Sequence, residues 1–586
     1  MEEIYRSAAA ILHFESPTRI RATEYNARLA LLAGVIHGLG KPLLMLAEPG
    51  YNPPLDYKDM LYQYKTSAKA LKRVDDWLDQ LPTHRGSNRQ LGRIKLDVEM
   101  PISNFGRFVA EQEQEQLPEY FVPTNEFRSV VDGTATVFIG RKGTGKSATM
   151  QQAVVDLRKD RRILVVPVKP SAYELDDLTK LLGRFTETSK REYFLVTLWN
   201  YLFTSEIALR AVSHAEDLPA GLGASDAVTA LSDRLQRMGI SGESDFGARL
   251  DSAISNAIEQ GADPRSLQAV TENLRVQWQQ QLLPKLTPVL SAYDRVAILV
   301  DNLDKTWEQG VDFENLSRFL LAMLVSVGKV SKEFDRASRA HSQATLTMTI
   351  FLRTDIFDVM TKYAREPDKI APQKIQWEDE ELLVRVLEDR YVAHRHGRKA
   401  VKPNELWDRV FCSEVRSMPT RNYILWRALQ RPRDIIAFSN SALTTAVNRK
   451  HDCVQAADFQ LAEMNYSQFA VEALLVESQA QGFNLENILM EFAGLDSTIS
   501  EEDIDSILGA DGNRDEVVEW LIRTGFLGVE RSDGRFVHVE GQTEAKKKLI
   551  AARRLTERLG RPMRYRIHPA YRPYLDIRDD DIHQQQ

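Results

Sequence analysis

A glycine-rich segment between an apolar stretch and a predicted helix constrains the fold of this chain more than any other feature. Residues 138–147 read Phe-Ile-Gly-Arg-Lys-Gly-Thr-Gly-Lys-Ser and fit the pattern G-x-x-x-x-G-K-[ST] at every position. Residues 134–139 have the apolar character of a strand, and residues 148–158 predict a helix. A strand, a glycine loop and a helix in this order predict an α/β fold that binds a nucleotide. The alternative is a glycine-rich turn without a ligand.

The residues of this loop have distinct predicted roles. Backbone N–H groups of such a loop point at phosphates, and the N-terminus of the next helix faces negative charge. Lys146 is predicted to reach the β- and γ-phosphates, and Ser147 is predicted to hold Mg²⁺. The predicted cofactors are therefore ATP and Mg²⁺, and the predicted binding residues are Gly140, Arg141, Lys142, Gly143, Thr144, Gly145, Lys146, Ser147 and Ala148.

A second apolar run ends in a carboxylate. Residues 296–300 read Val-Ala-Ile-Leu-Val and are followed by Asp301. Ligands of open α/β sheets bind at the carboxyl ends of the strands, so Asp301 is predicted to coordinate Mg²⁺ together with Ser147. The alternative is a core strand that happens to end in an aspartate.

The residues after Asp301 bear on the rate of hydrolysis. Many P-loop ATPases place a glutamate directly after the magnesium aspartate to orient the attacking water, and here that position is Asn302. Asp304 is the candidate substitute, because a carboxylate two or three residues further on can still face the γ-phosphate. If neither residue works, hydrolysis is slow and the protein dwells in its ATP state as a switch.

A third apolar strand, residues 346–352, ends in Arg353. An arginine at the end of the strand beside that of Asp301 can contact the γ-phosphate and report its presence. The alternative is a charge that satisfies the edge of the sheet.

Length and composition define the general class of protein. A chain of 586 residues is too long for one core, and about three to four domains are expected. The net charge of −7 argues against a chain that coats nucleic acid as a whole, although a local basic face stays compatible with it. The two cysteines, Cys412 and Cys453, fit a reducing compartment. The sequence shows neither a signal-peptide pattern nor a membrane-spanning run, so we expect a cytoplasmic protein without a membrane partner.

The order of predicted elements divides the chain into segments. We expect an α/β fold with a P-loop NTPase parallel sheet, and we expect residues 53–125 to be helical and then irregular. The predicted segments are a partial Rossmann-like unit (1–80), a linker (81–125), a P-loop ATPase core (126–358) with a large helical insertion (173–293), a helical lid (359–450), a C-terminal winged-helix domain (451–578) and a tail (579–586).

The first segment carries a short match to a known family. Gly34, the run 37–39 and Gly40-Lys41-Pro42 resemble the helix end and following strand of the nucleoside 2-deoxyribosyltransferase-like family. The resemblance implies a Rossmann-like fold. It places Leu32 where those enzymes carry their nucleophilic glutamate, so transferase activity is not predicted. Glu24 and His37 are either a catalytic pair or, as base rates favour, a surface carboxylate and a partly buried histidine.

Four segments of the central region form a second resemblance. Residues 140–147, 296–305, 351–355 and 431–434 together resemble the STAND and origin-recognition branches of the AAA+ superfamily, including prokaryotic ATPases of anti-phage defence. The resemblance covers residues 130–443. It implies an arginine sensor at Arg353, a second sensor at Arg433 in the lid and adenine packing by Pro432. It also implies an ATPase that forms a homo-oligomer with an effector or sensor protein as partner.

The C-terminal segment has the pattern of a winged helix. Residues 526–529 and 535–539 flank the turn signal Asp533-Gly534 and predict a hairpin. The preceding helix, residues 514–524, is acidic and therefore a poor reader of a DNA groove. Basic residues follow, which form either a nucleic-acid face or an ordinary charged helix surface: Lys546, Lys547, Lys548, Arg553, Arg554, Arg558, Arg561, Arg564 and Arg566.

Three functions fit these patterns. The leading hypothesis is an ATP-dependent switch in a multi-protein assembly, with anti-phage defence implied by the resemblance. The alternative is a DNA-binding ATPase of the origin-recognition or loader type. The third is a scaffold that holds its nucleotide without turnover.

Overall fold

The structure is a computed structural model that describes a large part of the chain. The described residues are 7, 9–39, 41–51, 61–78, 100–113, 115–169, 182–183, 187–217, 225–240, 247–250, 252–253, 264–303, 312–337, 344–395, 402–478, 484–509 and 514–579. Among these residues, no helix is both long enough and apolar enough to cross a lipid bilayer.

The strands are short and mostly apolar. In chain order they are β1 (Ala10–Phe14), β2 (Leu43–Ala47), β3 (Leu61–Gln63), β4 (Val137–Gly140), β5 (Ile163–Val168), β6 (Arg295–Val300), β7 (Thr345–Arg353), β8 (Gln373–Lys374), β9 (Glu414–Val415), β10 (Met418–Pro419), β11 (Thr498–Ser500), β12 (Leu527–Glu530), β13 (Phe536–Val537) and β14 (Arg564–Ile567).

The helices account for most of the remaining regular structure. In chain order they are α1 (Ala22–Gly38), α2 (Ser67–Leu78), α3 (Leu117–Tyr120), α4 (Asn125–Asp132), α5 (Lys146–Leu157), α6 (Thr188–Glu216), α7 (Asp226–Arg237), α8 (Pro264–Arg275), α9 (Leu283–Leu290), α10 (Phe313–Ala337), α11 (Thr354–Lys362), α12 (Glu380–His394), α13 (Glu405–Arg409), α14 (Thr420–Arg427), α15 (Pro432–Asn448), α16 (Ala456–Ser478), α17 (Leu485–Met490), α18 (Glu501–Leu508), α19 (Arg514–Arg523) and α20 (Gln542–Leu559).

The largest sheet has five strands in the order β5-β6-β7-β4-β8. Strand β4 pairs in parallel with β7, with Gly140 beside Arg353, and in parallel with β8 on its other side. The central strands are almost continuously buried, as expected for parallel strands covered on both faces. The predicted α/β fold with a parallel sheet is therefore confirmed, and the strand that ends at Arg353 lies next to the strand that precedes Asp301.

The chain divides into two compact units. The first comprises residues 1–92, 161–298 and 322–346, and the second comprises residues 93–160, 299–321 and 347–586. The glycine loop, Asp301, Arg353 and the lid residues all belong to the second unit.

The N-terminal part of the first unit is a three-stranded parallel sheet in the order β1-β2-β3, with helix α1 following β1. Its core contains Phe14, Ile36 and Met45. The helix end and the following strand that the resemblance implies are present as α1 and β2, but β3 lies in the region that was expected to be helical. The prediction missed it because β3 has only three residues, too few to show a period.

Glu24 and His37 do not form a catalytic pair. They lie 13 residues apart on helix α1, which corresponds to about 20 Å along its axis. Glu24 pairs with Arg28 on the solvent-exposed side, and His37 is exposed rather than partly buried.

The insertion of the first unit is helical wherever it is described. Helix α6 is the longest of its elements, and Leu198, Trp199 and Leu202 lie on its fully buried side. A π-helix over Val276–Leu282 joins α8 to α9. The described residues between β5 and β6 contain no strand, as the sequence pattern predicted.

A large hydrophobic core lies in the second unit. It joins helices α12 and α15, which lie in the predicted lid, to α16 and the other C-terminal elements, for example through Leu387, Phe438, Phe459 and Phe526. Residues from the segment before the P-loop, including Phe105, belong to the same core. A lid that shares its core with the C-terminal elements cannot move without affecting them.

The C-terminal sheet has the order β11-β14-β12-β13. The predicted hairpin is confirmed: β12 and β13 pair antiparallel, with Val529 beside Val537. Gly534 has φ 78°, a conformation that the turn requires and that glycine adopts without strain. Helices α19 and α20 lie on either side of this hairpin in the chain and pack against each other.

Candidate nucleotide-binding site

Many predicted site residues meet around one cavity of about 660 Å³ in the second unit. The glycine loop, the ends of β6 and β7 and the start of α15 contribute its charged and polar end. The predicted residues that line it are Lys142, Gly143, Gly145, Lys146, Ser147, Ala148, Asp301, Asn302, Arg353, Pro432 and Arg433.

The glycines of the loop are required by its geometry. Gly143 and Gly145 have φ 91° and 95°, which other residues rarely adopt. A Cβ at Gly143 would lie 2.7 Å from Nε of Arg433, so only glycine lets the lid approach the loop. Helix α5 begins directly after Gly145 at Lys146, and Lys146, Ser147 and Ala148 of its first turn line the cavity. The positive end of this helix dipole favours an anion.

Lys146 and Thr144 stabilise the loop from within. The Lys146 Nζ donates to the carbonyl oxygens of Gly140 and Arg141 at 2.8 and 3.0 Å. The Thr144 hydroxyl donates to the carbonyl of Arg141 at 2.9 Å, and this side chain is buried outside the cavity lining. Ser147 lies in the first turn of α5 and borders the cavity. Lys146 and Ser147 are thus at the cavity, whereas the Thr144 side chain is structural.

Asp301 and Asn302 follow β6 and face the same cavity. Asp301 is only 3% exposed, so its carboxylate is held away from bulk water. Asn302 has φ 66°, in the left-handed region that asparagine tolerates better than glutamate. The backbone at this position therefore favours the asparagine that the chain carries. Asp304, the predicted alternative for orienting water, lies outside the described residues.

Arg353 ends β7 beside the first loop glycine and borders the cavity. Its guanidinium donates to both carboxylate oxygens of Asp355, at 3.1 and 2.5 Å, and its side chain is 8% exposed. The carboxylate holds the guanidinium in one orientation. A γ-phosphate in the cavity would compete with Asp355 for this guanidinium, as a sensor arginine requires.

Arg433 lies at the start of α15 and brings a further cation to the cavity. Its guanidinium carbon lies 5.0 Å from the ring centre of Phe469, and the side chain is 10% exposed. The Nε and Nη2 atoms are buried and lack a hydrogen-bond partner among the described residues, while the nearest carboxylate, of Asp434, is 3.7 Å away. Buried donors of this kind gain most from an anionic acceptor. The preceding Pro432 also borders the cavity.

Part of the cavity lining, here called the apolar end, consists of apolar side chains that no sequence motif predicted, although Glu111, Glu113 and Glu472 also belong to the lining. It is formed by the segment before the P-loop and by α15 and α16, through Phe108, Val109, Ala110, Leu117, Ile436, Phe469, Ala473 and Val476. Phe108 and Phe469 make an edge-to-face contact with ring centres 5.4 Å apart. Residues 111–116 alternate Glu and Gln, a pattern that does not indicate this role.

A buried ion pair fixes the segment that carries Phe108. Arg390 of α12 donates to both carboxylate oxygens of Glu113, at 3.0 and 2.7 Å, and to the carbonyl of Phe105 at 2.8 Å. The Arg390 guanidinium also lies 4.4 Å from the ring centre of Tyr120. These contacts hold residues 105–113 against the lid. The apolar end of the cavity is therefore preformed.

Arg141 belongs to the predicted loop, but its side chain turns away from the cavity. It is 7% exposed and bonds to Glu477 of α16 at 2.9 and 2.6 Å, to Glu540 at 2.8 Å and to the carbonyl of Thr524. The prediction that this residue binds phosphate therefore holds at most for its backbone. The pattern G-x-x-x-x-G-K-[ST] leaves the position free, so it gave no sign of where the side chain would point.

Arg431 completes this network beside the loop. It donates to the carbonyl of Lys142 at 3.1 Å and to Glu540 at 2.7 Å, and it lies 3.7 Å from Glu477. Burial opposes ionisation of Glu477, but the Arg141 and Arg431 charges outweigh burial and lower the pKa of this carboxyl to about 2. Arg141 and the carbonyl of Lys142 are thus tied to α16 through the buried Glu477, and to the ends of the hairpin region through the Thr524 carbonyl and Glu540, whose side chain is 41% exposed.

The parallel sheet, the glycine loop before α5 and the aspartate at the end of β6 define a P-loop NTPase architecture. A model of the FunZ-associated C-terminal helical domain matches residues 381–475, which span α12 to most of α16. The chain is 24% identical over 394 residues to a curated protein of Escherichia coli (strain K12) named "Putative transposon gamma-delta 80.3 kDa protein". The match covers 66% of this chain and 53% of that protein, so the chain spans about half the length of this relative.

Solved structures give more distant similarities. They include the ORC2 protein of Aeropyrum pernix in ADPNP-ADP complexes (12% identity, TM-score 0.32, 80% of this chain and 92% of that chain covered) and the Drosophila ORC bound to DNA (11%, 0.25, 83% and 100%). A third is Cdc6p of Pyrobaculum aerophilum (10%, 0.25, 77% and 94%).

Proposed function

We propose that this chain is a switch that binds ATP and Mg²⁺ and hydrolyses ATP slowly. The observation that carries the proposal is one cavity in which the glycine loop, Asp301 and Arg433 face an apolar wall. Phosphates fit the end with the N-terminus of α5 and the cations, and a base fits the end lined by Phe108 and Phe469.

The charged end has groups suited to the phosphates and the Mg²⁺ of a bound nucleoside triphosphate. Lys146 and the N–H groups of the loop would hold the phosphates, and Arg433 would supply its buried donors to the terminal phosphate. The Ser147 hydroxyl and the Asp301 carboxylate are oxygen ligands of the kind that Mg²⁺ prefers. Bound Mg²⁺ would neutralise phosphate charge and orient the γ-phosphate.

We propose slow ATP hydrolysis because Asn302 occupies the position directly after Asp301. The side-chain amide of Asn302 can hydrogen-bond to a water, but it cannot accept its proton as a carboxylate does. The left-handed backbone at Asn302 also disfavours a glutamate there. A nucleotide that is hydrolysed slowly keeps the lid in one state for longer, which suits a switch.

The route from nucleotide to the rest of the second unit is the buried network of Arg141 and Arg431. It joins two loop residues to Glu477 of α16 and to Thr524 and Glu540, which lie on either side of the β12–β13 hairpin. Buried charge pairs tolerate little change in geometry, because a separated partner remains desolvated. A shift of the loop around phosphates therefore moves or strains the C-terminal elements.

The wider role that we propose is action in a homo-oligomeric assembly with an effector or sensor protein, in prokaryotic anti-phage defence. This part is supported by the resemblance of the sensor and lid residues to STAND ATPases. The alternative, a DNA-binding AAA+ ATPase of the origin-recognition or loader type, is favoured by one observation, the exposed cations on α20.

Calorimetric titration of ATP with Mg²⁺ into the full chain tests the site. Lys146→Ala removes the charged donor to the phosphates, and we expect affinity to fall by about 10- to 100-fold, since hydrogen bonds to charged groups contribute about 1.5–3 kcal/mol. Lys159→Ala is the matched control, because Lys159 is an exposed lysine just beyond α5 that pairs with Asp156. Equal ATP affinity of both variants and the wild type would refute the site.

A further inference from the structure

A second cavity lies between the hairpin and the helix that follows it. It has a volume of about 410 Å³ and is open on the surface of the C-terminal elements. Strands β12 and β13 form one wall and α20 forms the other. The lining residues are Val529, Glu530, Arg531, Ser532, Val537, Lys548, Ala551, Ala552, Arg554, Leu555 and Arg558. We call this feature the hairpin groove.

The charge of the hairpin groove is strongly positive. Four cations line it: Arg531 on the hairpin and Lys548, Arg554 and Arg558 on α20. Glu530 is the one carboxylate among the lining residues, and it is 3% exposed and bonded to Arg561 and Arg564. These two arginines hold the pKa of Glu530 below its usual value, despite burial, so the carboxylate stays ionised and its negative charge is compensated by the two guanidinium groups.

Other cations of α20 are used within the protein. Lys546 lies 3.6 Å from Glu519 of α19, and Arg553 lies 3.2 Å from Asp515 of the same helix. These pairs cover the acidic side of α19, the helix that occupies the recognition position of a winged helix. Neither side chain lines the hairpin groove.

The three cations of α20 that line the hairpin groove differ in their surroundings from Lys546 and Arg553. Within the described part of the chain, no carboxylate oxygen lies within 4.0 Å of the charged nitrogens of Lys548, Arg554 or Arg558, although Lys548 acts at longer range on Glu544. All three side chains are exposed. On the hairpin, Arg531 is 4.0 Å from Asp533 and 59% exposed. The hairpin groove therefore concentrates positive charge on a chain whose net charge is −7.

We propose that the hairpin groove binds the phosphodiester backbone of a nucleic acid. Lys548 and Arg558 are ten residues apart, which is about 15 Å along the helix, and one strand of a duplex places about four phosphates over that distance. Between the cations, the lining of α20 consists of Ala551, Ala552 and Leu555, and the two alanines allow a sugar-phosphate strand to approach the helix closely.

The proposed nucleic-acid contact does not use α19, the helix that lies in the recognition position of a winged helix. Helix α19 is acidic and its carboxylates face α20, so the contact passes to the hairpin and the outer side of α20. Backbone contacts of this kind position a protein on a nucleic acid without reading its sequence. The inference goes beyond the nucleotide switch and does not require ATP to bind.

The test compares two double variants of the full chain, each of which replaces one lysine and one arginine with glutamine. Lys548→Gln with Arg554→Gln removes two cations of the groove, and Lys546→Gln with Arg553→Gln removes two cations that pair with α19. The affinity for duplex DNA, single-stranded DNA and RNA of equal length is measured by fluorescence anisotropy over a range of salt concentrations. We expect the groove variant to bind more weakly and its slope of log K against log salt to fall by about 1.8 on duplex DNA, since each phosphate contact contributes about 0.9.

The control variant should retain the wild-type slope. Equal losses in both variants would mean that general charge, and not the hairpin groove, attracts the nucleic acid, and would overturn the proposal. Wild-type binding that is absent for all three nucleic acids at low salt would overturn it as well, and so would equally tight, equally salt-dependent binding of poly-glutamate. Lys146→Ala is included as a third arm: retained DNA binding in this variant separates the groove from the nucleotide site.

Discussion

Glu477 is the residue whose charge should matter most for the connection between the P-loop and the C-terminal elements. Its side chain is 7% exposed, bonds to Arg141 and lies 3.7 Å from Arg431. Burial alone would raise the pKa of this carboxyl, but the two guanidinium charges outweigh it and lower the pKa from 4.5 to about 2. That difference corresponds to a contribution on the order of 3 kcal/mol to folding at neutral pH.

The substitution Glu477→Gln keeps the shape and removes the charge. Arg141 and Arg431 would then share Glu540 as their remaining carboxylate, and removing one partner of a buried ion pair costs about 3–5 kcal/mol. We therefore expect the P-loop and α5 to open more often. Hydrogen–deuterium exchange of residues 137–157 measures this directly, and a loss of about 3 kcal/mol corresponds to exchange that is faster by about 100-fold.

The pH dependence gives an independent test of the same charge. The folded-state pKa of Glu477 is depressed, so its contribution is present above about pH 4.5 and is lost as the pH falls towards 2. The difference in exchange between the wild type and Glu477→Gln should therefore shrink over that acid range. Glu486→Gln, at an exposed carboxylate of α17, is the control and should exchange like the wild type. If Glu477→Gln exchanges like this control near neutral pH, the network does not hold the loop.

Three further predictions concern the cavity itself. Asn302→Glu forces glutamate into a left-handed backbone, so we expect a lower melting temperature and no gain in steady-state phosphate release; faster release at unchanged stability would contradict this. Arg433→Lys loses the planar fork over Phe469, so calorimetry should show a fall in ATP affinity of about tenfold with a smaller effect on ADP, whereas Arg449→Lys, at a partly exposed arginine elsewhere in the lid, should change neither. Phe108→Ala should weaken ATP but leave inorganic triphosphate unaffected, and equal losses for both ligands would remove Phe108 from the base end of the cavity.

The parts of the fold that the sequence predicted are those encoded by local patterns. The P-loop needs glycines with positive φ between a strand and a helix, and this requirement is visible in ten consecutive residues. Asp533-Gly534 between two apolar runs predicts the hairpin, and the hairpin forms there. Strands β6 and β7 are long apolar runs, so Asp301 and Arg353 could be placed at adjacent strand ends before any coordinates were known.

The rest depends on contacts between residues that are distant in the chain. Phe108 meets Phe469 across 361 residues, and neither lies in a motif that marks a base-binding role. Arg141 meets Glu477 across 336 residues at a loop position where the motif allows any residue. Likewise, a list of basic residues on α20 cannot show which of them face α19 and which face solvent. Solvent exposure and ion pairing distinguish these residues, and both are properties of the assembled fold.

The buried network reaches two residues at the base of the hairpin, outside the lining of the hairpin groove. Thr524 follows α19 and Glu540 precedes α20, and the two form an antiparallel bridge at the base of the hairpin. Arg141 of the P-loop binds both of them, the first through its carbonyl and the second through its carboxylate. A change in the loop therefore acts where the two walls of the hairpin groove originate. Under the proposals made here, any effect of ATP on nucleic-acid affinity has to be matched by an equal effect of nucleic acid on ATP affinity, because coupling free energies are reciprocal.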